Sequence, residues 1–485
     1  MNQRKEYLDV LIVGAGLSGI GAAHHIQTKC PDRTYAILEA RPTMGGTWDL
    51  FRYPGIRSDS DMYTLGYAFR PWKEQKAIAD GPSILNYIKE TAESDGSDQK
   101  IRYNHKVKNA TWSSKTAQWT VEVEQIDSGE MIEIACNFLF MCSGYYRYEA
   151  GFTPDFKGRE DFEGRIVHPQ KWTSDINYED KKVVVIGSGA TAVTLVPELA
   201  KKAKLVTMLQ RSPTYIMNAP SIDPIASFLR KILPNKLAYF LSRWKNILMG
   251  ILFYKVARSK PNFTSKLLKA GVKKAVSKEI DINKHFTPKY KPWDQRLCLV
   301  PDSDLFEAIN KGKATIVTDH IEKFTKEGIQ LESGEHLEAD IIVTATGLKM
   351  QLLGNMELTV DEKPINYGDL YAYRGMMFND VPNMAMAFGY TNASWTLKSD
   401  LTCEYVCRLL NHMKATGTKV VTPRQNDPNF EEEPIIDFNS GYVLRELDKL
   451  PKQGTKRPWK VFQNYLLDVF NFRFSKLEDG FLEFK

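Results

Sequence analysis

The apolar residues of this chain fall into a pattern that occurs twice. Leu8–Val13 is a short, nearly unbroken apolar run leading straight into GAGLSG, and Lys181–Ile186 leads in the same way into GSGATA. Runs of that length bounded by glycine predict strands buried on both faces, as in parallel sheets. After the first glycine turn, helical spacing predicts a helix over about Leu17–Gln27. A second apolar run comes after each unit, Tyr35–Leu38 and Leu205–Leu209. Strand, glycine turn, helix and strand make up the unit of a doubly wound sheet. Two more runs, Phe138–Ser143 into Gly144 and Asp340–Thr344 into Ala345–Gly347, read as crossings between the units. The expected architecture is α/β, with two Rossmann-like dinucleotide-binding domains. The first is discontinuous (1–147 and 348–485), and the second lies within it (148–215 and 297–347). Residues 216–296, between its two parts, break the strand pattern and are expected to be helical, an insert punctuated by Pro234 and Pro261.

The two turns lead into different residues. Gly14, Gly16 and Gly19 match G-x-G-x-x-G. The first glycine permits the tight turn, the second lets a pyrophosphate approach the backbone, and the third lets the helix pack closely on the strand. Glu39 ends the next strand, where a carboxylate accepts hydrogen bonds from an adenosine ribose. Gly187, Gly189 and Ala192 repeat the turn, but there the next strand ends in neutral Gln210, with Arg211 and Ser212 after it. A carboxylate would repel a 2′-phosphate, whereas a guanidinium and a hydroxyl bind one. The contrast predicts FAD at the first turn and NADPH at the second, with hydride passing from nicotinamide to flavin.

Composition narrows the chemistry. The chain has 485 residues, 43% hydrophobic and 26% charged, enough for two or three ordinary globular domains. A net charge of +6 is small for that length and gives no reason to expect nucleic acid. The charge is uneven, since residues 221–280 hold 13 Lys and Arg against Asp223 and Glu279, a local balance of +11. The plainer reading of this stretch packs its apolar faces on neighbouring domains and leaves the lysines solvated. With Trp244, Phe253 and Tyr254 it also suits a helix lying on an anionic membrane surface. The run Ile247–Tyr254 is too short to span a bilayer. The aromatic stretch RPWKVFQNYLLDVFNFRF is expected to pack on the first domain or to extend toward lipid or a partner subunit. No feature of the sequence sets the oligomeric state. The six cysteines form no CxxC pair and no metal spacing, which suits a reducing compartment; Cys403 and Cys407 read as core residues of a helix. A strand begins almost at the N-terminus, so no targeting segment is expected and the location is read as cytoplasmic, with peripheral membrane contact as the alternative.

A flavin with NADPH and no redox-active cysteine pair points away from disulfide reduction and toward oxygen activation. The stretch GGTWDLFRYPGIRSD, Gly45–Asp59, fits the pattern [AG]G-x-W-x4-[FY]-P-[GM]-x3-D at every specified position. DFEGRIVHPQKW supplies F-x-G-x3-H-x3-W as Phe162, Gly164, His168 and Trp172. By these motifs the chain resembles the Baeyer–Villiger monooxygenases, the class B flavoprotein monooxygenases. One departure is Thr173, where the family usually has Pro or Asp. KPWDQRLCLVP, GYTNASWTLK and LPKQG extend the resemblance over essentially the whole chain.

The resemblance implies Gly46, Thr47, Trp48, Asp59 and Tyr63 around the flavin, with Trp48 as an apolar wall. It implies Arg296 as the active-site arginine, oriented by Asp59. In that chemistry a C4a-peroxyflavin attacks a carbonyl, and a fixed guanidinium stabilises the negative charge. The residues alone leave other roles open: Asp59 as an N-cap for a helix near Ser60 or Asp61, and Arg296 as an ordinary interdomain ion pair. His168 precedes the second strand by about a dozen residues and is read as a hinge or packing residue in the linker, not as a base. Trp395 lines a substrate or nicotinamide pocket or belongs to the core. The implied activity is NADPH- and dioxygen-dependent oxidation of ketones to esters or lactones, with S-oxidation of sulfides and thioamides. The alternatives are an N- or S-hydroxylating flavin monooxygenase, which has no need of Arg296, and a flavin redox sensor without turnover.

Overall fold

The computed structural model describes residues 6–436 and 441–485. The first unit is β1 (Glu6–Val13), α1 (Leu17–Lys29) and β2 (Tyr35–Leu38). β1 lies parallel to β2 and to the strand Glu130–Met141, with Val10 opposite both Tyr35 and Phe138. Among the described residues these belong to a nine-stranded sheet, one flank of which is the antiparallel meander His105–Ser113, Gln118–Gln125 and Glu130–Met141. The central strand is buried on both faces from Val10 to Val13, as a continuous apolar run requires.

The second unit is β3 (Lys182–Ile186), α2 (Ala190–Leu199) and β4 (Leu205–Gln210). Chain order continues with β5 (Ile216–Ala219), α3 (Pro224–Ile232), α4 (Asn235–Ser259), α5 (Pro261–Ala275), β6 (Cys298–Pro301), β7 (Ala314–Thr318) and β8 (Ile341–Thr344). A five-stranded sheet runs in the order β7, β4, β3, β8 and Arg165–Val167, with every pairing parallel. The Phe162–Trp172 motif therefore supplies the edge strand of this sheet, more than the simple linker expected from sequence. The insert differs too. Its first four residues are not helical: β5 pairs in parallel with β6, Ile216 facing Cys298. The insert thus leaves and re-enters the sheet region through neighbouring strands, which fixes where Arg296, just before β6, must stand. Pro234 caps α4 and Pro261 opens α5, positions where the missing N–H costs nothing.

A further long helix, α6 (Trp395–Thr416), packs on α1 and buries Cys403 and Cys407. The short α7 (Tyr465–Val469) packs on α6 in turn, and Trp459, Tyr465 and Phe472 join the core of the first unit. All six cysteines are free and buried. Among the described residues no helix is long and apolar enough to cross a membrane.

Candidate active site

A cleft of about 1270 Å³ runs between the two glycine turns and is lined by both. At the first, Gly14 has φ +105, and a Cβ there would sit 2.6 Å from the carbonyl oxygen of Cys142. Gly19 has no room at all, since its Cβ would lie 1.8 Å from the Gly14 oxygen. Gly16 lines the cleft, and a Cβ on it would face Gly46 at 3.4 Å, so two bare backbones form one cradle. α1 has Gly16 as N-cap, no capping side chain and no acid in its first turn. Its N-terminal N–H groups are thus left for a phosphate. Glu39 is buried and accepts from the backbone N–H of Ala15 (2.8 Å) and of Arg41 (3.0 Å). Burial raises its pKa, and these two donors oppose the rise. A carboxylate so placed has lone pairs remaining for ribose hydroxyls. These residues fit the adenosine–pyrophosphate half of FAD.

The second turn repeats the geometry. Gly187 has φ +140 and a Cβ would meet the Ala345 oxygen at 2.4 Å, whereas Gly189 has open space where its Cβ would be. α2 again starts without acid or side-chain cap, and Ala192 in its first turn is fully buried. Arg211 and Ser212 line the same end of the cleft, with the Ser188 hydroxyl donating to the Ser212 oxygen at 2.9 Å. Gln210 does not take part. It is buried and its amide donates to the His285 oxygen (2.8 Å) and to Thr318 Oγ1 (2.9 Å). Side chains alternate along a strand, so Gln210 points into the neighbouring packing while Arg211 points out. Asp319, His320 and Glu332 share this end of the cleft and had no signature in the sequence.

Arg296 and Asp59 meet between the two turns. Arg296 Nε lies 3.4 Å from Asp59 Oδ2, the arginine 43% exposed into the cleft and the aspartate 17%. Burial raises the Asp59 pKa; Arg296 and, less strongly, Arg57 pull it down. Asp59 is not a helix cap, because Asp61 caps the turn Met62–Leu65 by accepting from Thr64 N–H. The loop before Arg296 is held in an unusual form: Trp293 has φ +71, a strained conformation for a bulky residue. Arg258 grips that loop through Asp294 at 2.8 Å. Cys298, one residue beyond Leu297, also lines the cleft, and burial and then the Asp59 charge push its thiol up to about 12.

Thr47 and Trp48 line the first end. Tyr63 does not: it is buried, with its ring against Tyr239 and under Arg230. Trp395 is partly buried against the core of the first unit. It lines the cleft, donates Nε1–H to Ser18 Oγ at 2.8 Å, and stacks on Tyr145 with centroids 5.1 Å apart. Tyr145, Tyr146 and Tyr390 extend this aromatic wall; the doublet comes straight after Gly144 at the crossing, a signal available in the sequence. Phe162, Gly164, His168 and Trp172 stand outside the cleft lining. His168 Nδ1 accepts from Gln170 N–H (3.2 Å), which leaves Nε2–H to donate to the Gly347 oxygen (3.2 Å). Its ring fills the space beside Gly151, and burial lowers its pKa, so it is neutral at pH 7. Gln170 donates to the oxygens of Arg147 and Tyr148, both at 2.8 Å. The motif thereby ties together the two crossings, near residues 147–151 and at Gly347.

A family model described as flavin-binding monooxygenase-like matches residues 74–365, and one described as an NAD(P)-binding Rossmann-like domain matches residues 12–75. The FAD-containing monooxygenase EthA of Mycobacterium tuberculosis is 53% identical over 480 residues, covering 99% of this chain and 98% of its own. The probable FAD-binding monooxygenase AlmA of Acinetobacter is 48% identical over 482 residues, covering 99% and 97%. In fold, the chain is similar to an oxidised steroid monooxygenase bound to NADP (TM-score 0.73, 22% identity, 86% of this chain and 87% of that one). It is similar also to an open structure of cyclohexanone monooxygenase (TM-score 0.72, 19% identity, 86% and 90%).

Proposed function

The chain belongs to the flavin-binding monooxygenase-like family, and on that basis we propose that it is an FAD-containing, NADPH-dependent Baeyer–Villiger monooxygenase acting on small ketones. The observation that carries this reading is the meeting of Arg296 with Asp59 between the two nucleotide turns. Bound flavin, once reduced by NADPH, supplies the activation of dioxygen. The rest falls to the chain. The Gly14–Gly19 and Gly187–Ala192 turns hold the two pyrophosphates from opposite ends of one cleft. Trp48 and the Tyr145–Trp395 stack give that cleft apolar walls that exclude water. Arg296 places a permanent positive charge where negative charge develops on the substrate carbonyl oxygen, and a guanidinium does this without surrendering a proton. Asp59 holds the guanidinium in place. Sulfides and thioamides, whose sulfur is a good nucleophile, are oxidised at the same centre. The first unit with the C-terminal part forms the FAD domain, the second unit the NADPH domain, and His168 is a positioning residue at their crossings.

The direct test is to give the protein NADPH, isotopically heavy dioxygen and a panel of ketones and sulfides. An ester or lactone carrying one heavy oxygen is the expected product. Heteroatom oxides with no ester from any ketone would make it an N- or S-hydroxylating enzyme instead. Failure of NADPH to bleach the bound flavin would make it a sensor.

The NADPH end gives a separate expectation. Arg211→Ala removes one charge-assisted contact from the 2′-phosphate at an exposed rim. KM for NADPH should rise by about tenfold with kcat little changed. KM for NADH, which lacks the phosphate, should not move; an equal rise for both nucleotides would show that Arg211 does not read the phosphate.

A further inference from the structure

α4 carries apolar residues on two opposite faces. One face, with Ala238, Tyr239, Ile247 and Ala257, is buried, anchored by Arg243 donating to the oxygens of Tyr63 and Gly66 (2.7 Å each). Half a turn round the helix, Leu237, Leu241, Leu248 and Leu252 stand in solvent, Leu252 58% exposed. Their spacing makes a single stripe. The plainer sequence reading, in which apolar faces of the insert pack on neighbouring domains and the lysines are solvated, holds for the buried face and does not account for this second stripe.

The stripe does not end with α4. α3 adds Ile225, Phe228 and Ile232 at i, i+3 and i+7, all more than half exposed. α7 and the turn after it add Leu467, Phe470 and Phe474, the last 72% exposed. Trp244 joins the parts, its ring 6.2 Å from Phe240 and 6.0 Å from Tyr465. Single exposed apolar residues need no account, but exposed apolar residues repeated on three neighbouring helices do.

The charges beside this face select its partner. Lys231, Lys236, Lys255, Lys260 and Lys266 are exposed along α3, α4 and the adjoining half of α5. Of the two acids in residues 221–280, Asp223 is bound by Lys245, which leaves Glu279. Two copies placed face to face would bring like charges together, whereas an acidic headgroup layer neutralises them. With no helix able to cross a bilayer among the described residues, apolar residues bordered by lysine suit a helix lying in the interface.

We propose that the face formed by α3, α4 and α7 seats this protein on the surface of an anionic lipid bilayer. Phe228, Leu248 and Phe470 enter the boundary between headgroups and acyl chains, and the lysines contact the headgroups. The proposal does not depend on which reaction the cleft catalyses.

Flotation of the FAD-loaded protein with phosphatidylglycerol vesicles and with phosphatidylcholine vesicles tests it. At low salt the protein should float with the first and hardly at all with the second, and added salt should release it. The triple variant Phe228→Ser, Leu248→Ser, Phe470→Ser should partition at least about tenfold more weakly, because exposed residues that enter lipid lose that burial. The triple variant Lys231→Gln, Lys255→Gln, Lys260→Gln should lose about fivefold per lysine. Retained flavin absorbance shows that either variant is folded, and the lysine variant decides alone if the apolar one is not. No flotation with phosphatidylglycerol at low salt would overturn the proposal. So would equal flotation with both lipids, or an unbound wild-type oligomer that the serine variant turns into a monomer, which would assign the face to a second copy.

Discussion

Arg296→Ala should lower ketone oxygenation by about 10²–10³-fold, the usual loss when one preorganised donor to a developing oxyanion is removed. Bleaching of the flavin by NADPH should be unaffected, because neither glycine turn nor Arg211 is touched. The split between the two half-reactions is the informative part: NADPH consumption would continue with hydrogen peroxide as its product. Arg296→Lys should recover only part of the loss, since an ammonium keeps the charge but not the planar fork held at Asp59. Product formation by mass spectrometry, beside stopped-flow reduction, measures both. Undiminished ketone oxidation in Arg296→Ala would remove the Baeyer–Villiger assignment, because an N- or S-hydroxylating centre does not need this cation. The pH profile is set by Asp59. Burial raises its pKa above the ordinary 3.8, with Arg296 opposing. The charged pair is present above that raised value and lost as pH falls through it. The acid limb of kcat/KM should therefore lie above the range of a solvated aspartate, and Asp59→Asn should abolish that limb.

Asp468→Ala should destabilise the fold by about 3–5 kcal/mol, the cost of leaving a buried charge without its partner. Lys398 and Asp468 are each only 2% exposed and lie 2.6 Å apart. The ammonium sits over the Phe472 ring at 4.9 Å and the Tyr390 ring at 5.5 Å. Tyr390, which donates to the same Asp468 oxygen at 2.7 Å, would lose its acceptor as well. The midpoint of urea unfolding, followed by tryptophan fluorescence, measures the effect. The double variant Lys398→Met, Asp468→Leu should recover most of the loss, because a buried pair replaced by apolar groups of similar volume costs little, and fall short by about 1–3 kcal/mol for the Tyr390 hydroxyl left without its acceptor. A loss below about 1 kcal/mol in the single variant would show that the pair is hydrated and contributes as a surface bridge does. Tyr390 lines the cleft, so oxygenation by this variant should be measured below its unfolding range.

Features that depend on local backbone sterics are legible in the chain alone. Gly14 and Gly187 need positive φ, and Gly19 needs a missing Cβ; no other residue permits those turns, so the two nucleotide sites can be read from spacing. The buried parallel strands are equally legible, because a strand covered on both faces must be apolar throughout. Arg296 and Asp59 are reached only through resemblance, since nothing local in either segment records the other. Their contact exists because β5 and β6 pair and bring the loop before β6 over the first unit. Gln210 shows the same limit: its identity is visible in sequence, its direction only in the sheet. The edge strand Arg165–Val167 owes its pairing to β8, far along the chain. The insert marks the limit most clearly. Its composition is the same whether Leu237, Leu248 and Phe228 are packed or exposed, and only the placement of α4, with Arg243 facing inward, decides which apolar face is left in solvent.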